Sequence, residues 1–110
     1  MKLTIKASNL ELTPAIKDYI QKKMDMAEKY LGDRKVIGCD FEVELTTKHH
    51  HKGDIFRAEV NLSVAKELIR VEKTEADLYK AIDKVKDHVV ELMKKYKEKK
   101  LAKRRSGSAD

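Results

Sequence analysis

Tryptophan is absent from the 110 residues, cysteine and proline occur once each, and glycine occurs four times. A single thiol, Cys39, excludes an internal disulfide framework, so the fold must rest on a buried core. Four glycines leave little for a phosphate-cradling loop, and neither a nucleophile elbow nor a histidine-based acid–base set occurs. No apolar run approaches the roughly 20 residues of a membrane helix. The opening segment MKLTIKASNL lacks the continuous apolar stretch of a signal peptide. These absences point to a reducing cytoplasm or an organelle matrix derived from one. With only two phenylalanines and four tyrosines, stacking of bases on an aromatic platform is not expected to dominate any nucleic-acid contact.

Charge, by contrast, is abundant: 40% of the residues are Asp, Glu, Lys or Arg, beside 41% hydrophobic residues, which fits one small globular domain with a heavily charged surface. The net charge of +6 is unevenly placed. Between Lys84 and Arg105 ten basic residues face three acidic ones, a local +7, so the rest of the chain sums to −1. Such asymmetry suits a protein that meets a polyanion with one part of its surface, because each cation set on a phosphate releases condensed counterions.

The patterning predicts a strand over residues 2–7, where Leu3, Ile5 and Ala7 share a face. Thr13 and Pro14 announce a helix, with Ile16, Tyr19, Ile20, Met24, Ala27 and Leu31 as its apolar stripe and Gly32 as its end. Strict alternation over residues 39–45 puts Cys39, Phe41, Val43 and Leu45 on one side and Asp40, Glu42 and Glu44 on the other. The alternation returns at 56–64 and a last strand is expected at 68–73. Thr74 and Asp77 resemble a capping box, with Asp77 returning a hydrogen bond to the N–H of Thr74, ahead of a helix from about residue 75 to about residue 100. The expected fold is α+β, β-α-β-β-β-α: a four-stranded, mainly antiparallel sheet with two helices on one face and an open acidic face. One domain covers residues 1–101, followed by a basic flexible tail at 102–110.

Three adjacent histidines, His49, His50 and His51, have no Cys or carboxylate companions at zinc spacing and read as a solvated loop. Cys39 lies on the inward side of a strand and reads as a core residue. Asp77 and Asp83 are six residues apart, about 120° from superposition on a helical wheel, and so are poorly placed as an acid–base pair. Asp77 complements the helix dipole, whereas Asp83 could orient a lysine, hold a basic residue of the first helix, or stay solvated. No enzyme activity, metal or cofactor is implied. The second helix has a basic side including Lys84, Lys95 and His88, and the sheet's wet face is acidic. Helices on the opposite side are therefore expected to read RNA by shape and phosphate.

Three segments together resemble the ribosome hibernation-promoting factor and ribosome-associated inhibitor (protein Y) family in its short form. They are SNLELTPAIKDYIQKK (8–23), the stretch LIRVEKTEADLYKAID (68–83) and the lysine-rich closing helix; D-x-Y-x-A-I-D at Asp77 to Asp83 is the most specific motif and N-L-E-x-T-P at Asn9 to Pro14 the next. The resemblance implies a domain similar to a double-stranded-RNA-binding domain. Its implied partner is the small ribosomal subunit, where it fills the channel for messenger RNA and the A- and P-site transfer RNAs. It implies a protein monomeric off the ribosome, with no membrane or small-molecule partner. By family position the implied ribosomal-RNA contacts are Lys23, Lys95 and Lys97; Lys22, Lys84, Lys86, His88, Lys94, Lys99, Lys100, Lys103, Arg104 and Arg105 join them on charge. The chain departs from the family at Ala7 and Ser8, where a glycine and a basic residue are common, and at Glu91, which reverses a charge expected to face RNA. The C-terminal extension of long-form members is missing, so inactivation of single ribosomes is the expectation. A free-standing structured-RNA-binding module and a protein-interaction regulator using the acidic face are the alternatives.

Overall fold

The computed structural model describes the backbone of residues 2–31, 36–46, 53–64 and 67–109, with side chains throughout except at 36, 37 and 100–109. The elements are β1 (Leu3–Ser8), α1 (Pro14–Glu28), a 3-10 turn (Lys29–Leu31), β2 (Val36–Thr46), β3 (Ile55–Val64), β4 (Glu67–Glu75) and α2 (Leu78–Ala109). The order β-α-β-β-β-α is the expected one. The sheet runs β1-β2-β3-β4, with β1 parallel to β2 and the other neighbours antiparallel. A parallel pair requires a crossover, which α1 supplies; the remaining strands form a meander.

Register builds the core in rows across the sheet. Ile5, Phe41, Val60 and Val71 form one row, and Leu3, Cys39, Leu62 and Ile69 the next. Ile16, Ile20, Met24 and Ala27 of α1 join Leu78, Ile82, Val85, Val89 and Met93 of α2 in the same buried cluster. The helices therefore cover one face, α2 resting on β3 and β4 and α1 packing along α2. Burial of Cys39, at 1% exposure, pushes its thiol up to about 12, with Asp40 and Glu28 adding to the shift. A thiol-specific reagent should leave Cys39 unmodified in the native protein and react fully in denaturant. Rapid labelling under native conditions would show that this strand face is open.

Local chemistry explains the element boundaries. Asn9 turns the chain out of β1 with φ of 60°, a left-handed conformation that Asn tolerates better than most residues. Its amide donates to the Leu45 carbonyl on β2 at 3.5 Å. The Thr13 hydroxyl accepts from the Ile16 N–H at 3.2 Å, and Pro14 opens α1, as expected. The N-L-E-x-T-P motif thus encodes a turn and a helix start. The α1 helix closes through the 3-10 turn; Gly32 and His49 to His51 lie outside the described residues.

Two expectations at α2 need correction. Thr74 is not its cap: it pairs with Arg57 in the β3–β4 ladder, and Glu75 pairs with Phe56, so the strand claims this backbone and delays the helix. Asp77 is itself the N-cap, its carboxylate accepting from the N–H groups of Tyr79 at 2.9 Å and Lys80 at 3.4 Å while its carbonyl accepts the Ala81 N–H. At the far end, helical backbone continues past the expected end near residue 100, to Ala109. Leu101, Ala102 and the following Lys and Arg residues are good helix formers, and no proline interrupts them.

Candidate nucleic-acid interface

The two faces of the domain differ in how their charges are satisfied. On the open sheet face, register places Glu44 beside Arg57, and the row Lys6, Glu42, Glu59 and Glu72 next to it. The Arg57 Nε donates to Glu44 at 3.0 Å and its Nη2 to Glu42, with Glu59 at 3.6 Å and Glu72 at 3.9 Å. Burial works against this guanidinium's charge, but the hydrogen bonds to Glu44 and Glu42 outweigh it and raise its pKa. Arg70 donates to Glu59 at 2.9 Å; burial alone would raise the Glu59 carboxyl, but this partner holds it below the usual range. The acidic face read from β2 alone is therefore partly offset from within, two arginines standing against four carboxylates. Arg57 was visible in the sequence as an outward residue of β3, but only register shows which carboxylates it meets.

On the helical side, α2 carries the expected basic side of Lys84, His88 and Lys95 and a second one besides. From Lys84 to Lys99 its lysines fall into two stripes flanking an outer ridge. One stripe, Asp83, Lys86, Val90, Lys94 and Lys97, faces α1: Asp83 reaches Tyr19, and the Lys94 ammonium lies 5.1 Å from the Tyr30 ring centroid. The other, Lys84, His88, Lys95 and Lys99, looks toward β4, where Lys84 pairs with Glu75 at 2.6 Å. The hydrogen bond from Lys84 holds the Glu75 carboxyl below its ordinary range. Between the stripes, by helical spacing, run the exposed Asp87, Glu91 and Glu98. Glu91 lies on the edge of that ridge and borders the Lys84, His88 and Lys95 stripe.

The candidate contacts consequently differ in availability. Lys22, Lys95, Lys97 and Lys99 are exposed and carry no ion pair to a described residue. Lys86 is mostly covered and meets Asp87 at 2.5 Å. His88 is half-buried in a shallow cleft between β4 and α2, lined also by Lys73, Lys84 and Glu91, with its Nδ1 buried and without a hydrogen-bond partner among the described residues. It is not a freely presented cation. The side chains of Lys100, Lys103, Arg104 and Arg105 lie outside the described residues.

At the seam between the helices Asp83 finds its partners. Its Oδ1 accepts from the Tyr19 hydroxyl at 2.5 Å and lies 3.2 Å from the Lys23 ammonium. That ammonium also sits 5.1 Å from the Tyr19 ring centroid, and Tyr19 packs edge-on against Tyr79 with centroids 4.8 Å apart. The hydrogen bond to Asp83, assisted by burial, pushes the Tyr19 hydroxyl up to about 12. Of the possibilities open for Asp83, the structure selects a basic residue of the first helix and adds a tyrosine that sequence spacing did not single out.

A mixed four-stranded sheet, two helices on one face and exposed lysines concentrated on the helical layer define a small β-α-β-β-β-α domain with charge segregated between its faces. The chain belongs to the family described as Sigma 54 modulation protein / S30EA ribosomal protein, whose model matches residues 3–101. It is similar to the ribosome hibernation promotion factor of Picosynechococcus sp. (strain ATCC 27264 / PCC 7002 / PR-6), 30% identical over 105 residues that cover 94% of this chain and 53% of that protein. The Bacillus subtilis (strain 168) ribosome hibernation promotion factor is 30% identical over 99 residues, covering 90% of this chain and 50% of that one. The chain thus spans about half the length of the curated relatives it matches. Among solved structures, the Thermus thermophilus Protein Y N-terminal domain superposes with a TM-score of 0.74 at 32% identity, covering 87% of this chain and 99% of that one. A ribosomal subunit interface protein from Coxiella burnetii shares the fold, with a TM-score of 0.73 at 14% identity over 89% of this chain and 99% of that one.

Proposed function

We propose that this domain binds the small ribosomal subunit in the channel for messenger RNA and the A- and P-site transfer RNAs, and inhibits translation by occupying that volume. The observation that carries the reading is the division of charge. Exposed lysines on α1 and on both flanks of α2 carry no ion pair to a described residue, while the sheet face stays acidic and its two arginines, Arg57 and Arg70, are both engaged by carboxylates. Family membership supplies the ribosome as the polyanion of choice. The two stripes suit phosphates on two sides of α2, as a helix lodged between RNA segments would meet. The basic run Lys100, Lys103, Arg104 and Arg105 extends that charge along the chain. Residues 1–101 serve as the ribosome-binding unit and 102–110 as its basic extension, acting as a monomer off the ribosome in the cytoplasm. No bond is made or broken, and inhibition is by exclusion.

Sedimentation with purified small subunits across a salt series tests this. The protein should co-migrate at low salt and be released as salt rises, because phosphate contacts trade against counterions. Lys95→Glu combined with Lys97→Glu alters both flanks at once. It should release at lower salt and flatten the logarithmic salt dependence by at least about 2, roughly one for each phosphate no longer engaged. Both lysines are exposed, so thermal unfolding should be unchanged. Absence of the parent protein from every small-subunit fraction at low salt overturns the reading, and preferential binding to free duplex RNA replaces it with a general RNA-binding role.

A further inference from the structure

We propose that Asp83 and Tyr19 are positioning residues that hold the Lys23 ammonium, at the α1–α2 seam, oriented in advance for a phosphate of the RNA partner. The inference rests on the function proposed above and names how one contact of that site is prepared. Lys23 is a long side chain on an exposed helix layer, yet only 20% of it is accessible. Three restraints account for this. Asp83 Oδ1 lies 3.2 Å from the ammonium, the Tyr19 ring lies beneath it at 5.1 Å, and the Tyr19 hydroxyl donates to the same Asp83 oxygen at 2.5 Å. The pieces are themselves fixed: Asp83 stands beside the fully buried Ile82 on α2, and Tyr19 beside the fully buried Ile20 on α1. Tyr79 braces the Tyr19 ring edge-on.

An ammonium has three donors, and Asp83 engages one side of it. The others are left for an incoming phosphate, and the rotamer freedom that a solvated lysine would lose on binding has already been surrendered. Asp83 has an opposing effect as well, since a carboxylate 42% exposed repels phosphate. That repulsion acts through solvent and is screened, whereas orientation acts at hydrogen-bond range. Orientation should therefore prevail, and the two effects have opposite signs in a single experiment.

The experiment is co-sedimentation with purified small subunits at fixed salt, for the parent protein, Asp83→Asn, Tyr19→Phe, Lys23→Ala and the double variant Lys23→Ala/Asp83→Asn. Asp83→Asn removes a negative charge that faces RNA and should nonetheless weaken binding, about five- to tenfold on the scale of one lysine's rotamer freedom. Tyr19→Phe keeps the ring and loses only the hydroxyl; it should weaken binding about twofold to threefold, since a typical hydrogen bond contributes a modest net amount. In the Lys23→Ala background Asp83→Asn should have no further effect, which a general loss of structure would not reproduce. Ultraviolet titration provides a binding-independent readout: one phenol that ionises late, near 12 in the parent protein, should ionise earlier in Asp83→Asn and be missing in Tyr19→Phe. Should Asp83→Asn not fold, Tyr19→Phe carries the test. Parent-level or tighter binding by the folded variants overturns the positioning role while leaving the proposed function standing; failure of the parent protein to bind overturns that function first.

Discussion

Replacing Arg57 by Met is expected to lower the unfolding free energy by about 2–3 kcal/mol at neutral pH, with the loss shrinking below about pH 4. Arg57 is 16% exposed and is the cation shared by Glu42, Glu44, Glu59 and Glu72. Met retains the apolar stem but leaves Glu42, Glu44 and Glu72 without this shared cation, while Glu59 keeps Arg70. Breaking a buried ion pair costs about 3–5 kcal/mol, and the partial exposure of Glu42, Glu44 and Glu72 reduces that figure through screening. Acidification removes the repulsion as carboxylates take up protons. In the parent protein the sign runs the other way. Glu59 has a depressed folded pKa, so its contribution is complete above the ordinary carboxylate range and is lost as pH falls through the folded value. Denaturant unfolding of both proteins at neutral and acid pH measures this directly. A variant equally destabilised at both pH values would mean that packing of the stem, and not charge, is what Arg57 contributes.

Phe41→Ala should cost about 3–5 kcal/mol. Phe41 is 1% exposed, stands between Ile5 and Val60 in register and is among the largest fully buried side chains. Truncation removes a ring from the centre of a row that crosses all four strands, where neither neighbouring strand can close the gap without breaking its ladder. Against the roughly 5–15 kcal/mol of a typical domain, that loss could halve the margin. The unfolding midpoint should fall while the denaturant slope is kept, since the surface exposed on unfolding hardly changes. A loss under about 1 kcal/mol would show that the row can repack, contrary to the close packing expected of a core.

The elements were legible because their signals are local. Alternation at Cys39, Phe41 and Val43 assigned both the strand and its inward face, and Thr13 with Pro14 marked the start of α1 to the residue. The misreadings lie where local and distant demands compete. Thr74 has the chemistry of a helix cap, but pairing with Arg57 draws it into β4, and Asp77 takes the cap instead. The basic side of Lys84, His88 and Lys95 is one flank of α2, and the rotation of the buried Ile82, Val85 and Val89 against the sheet sets a second, with Lys94 and Lys97, on the α1 side.

The sequence by itself determined the order of elements, the buried face of each and the concentration of positive charge near the C-terminus, because periodicity and composition are properties of neighbouring residues. Only the tertiary structure decided which charges are free. Tyr19 and Asp83 are 64 positions apart, and Arg57 meets Glu42 and Glu44 only across a hairpin. Such contacts depend on the register of strands and the rotation of packed helices, which are set when the whole core is buried at once.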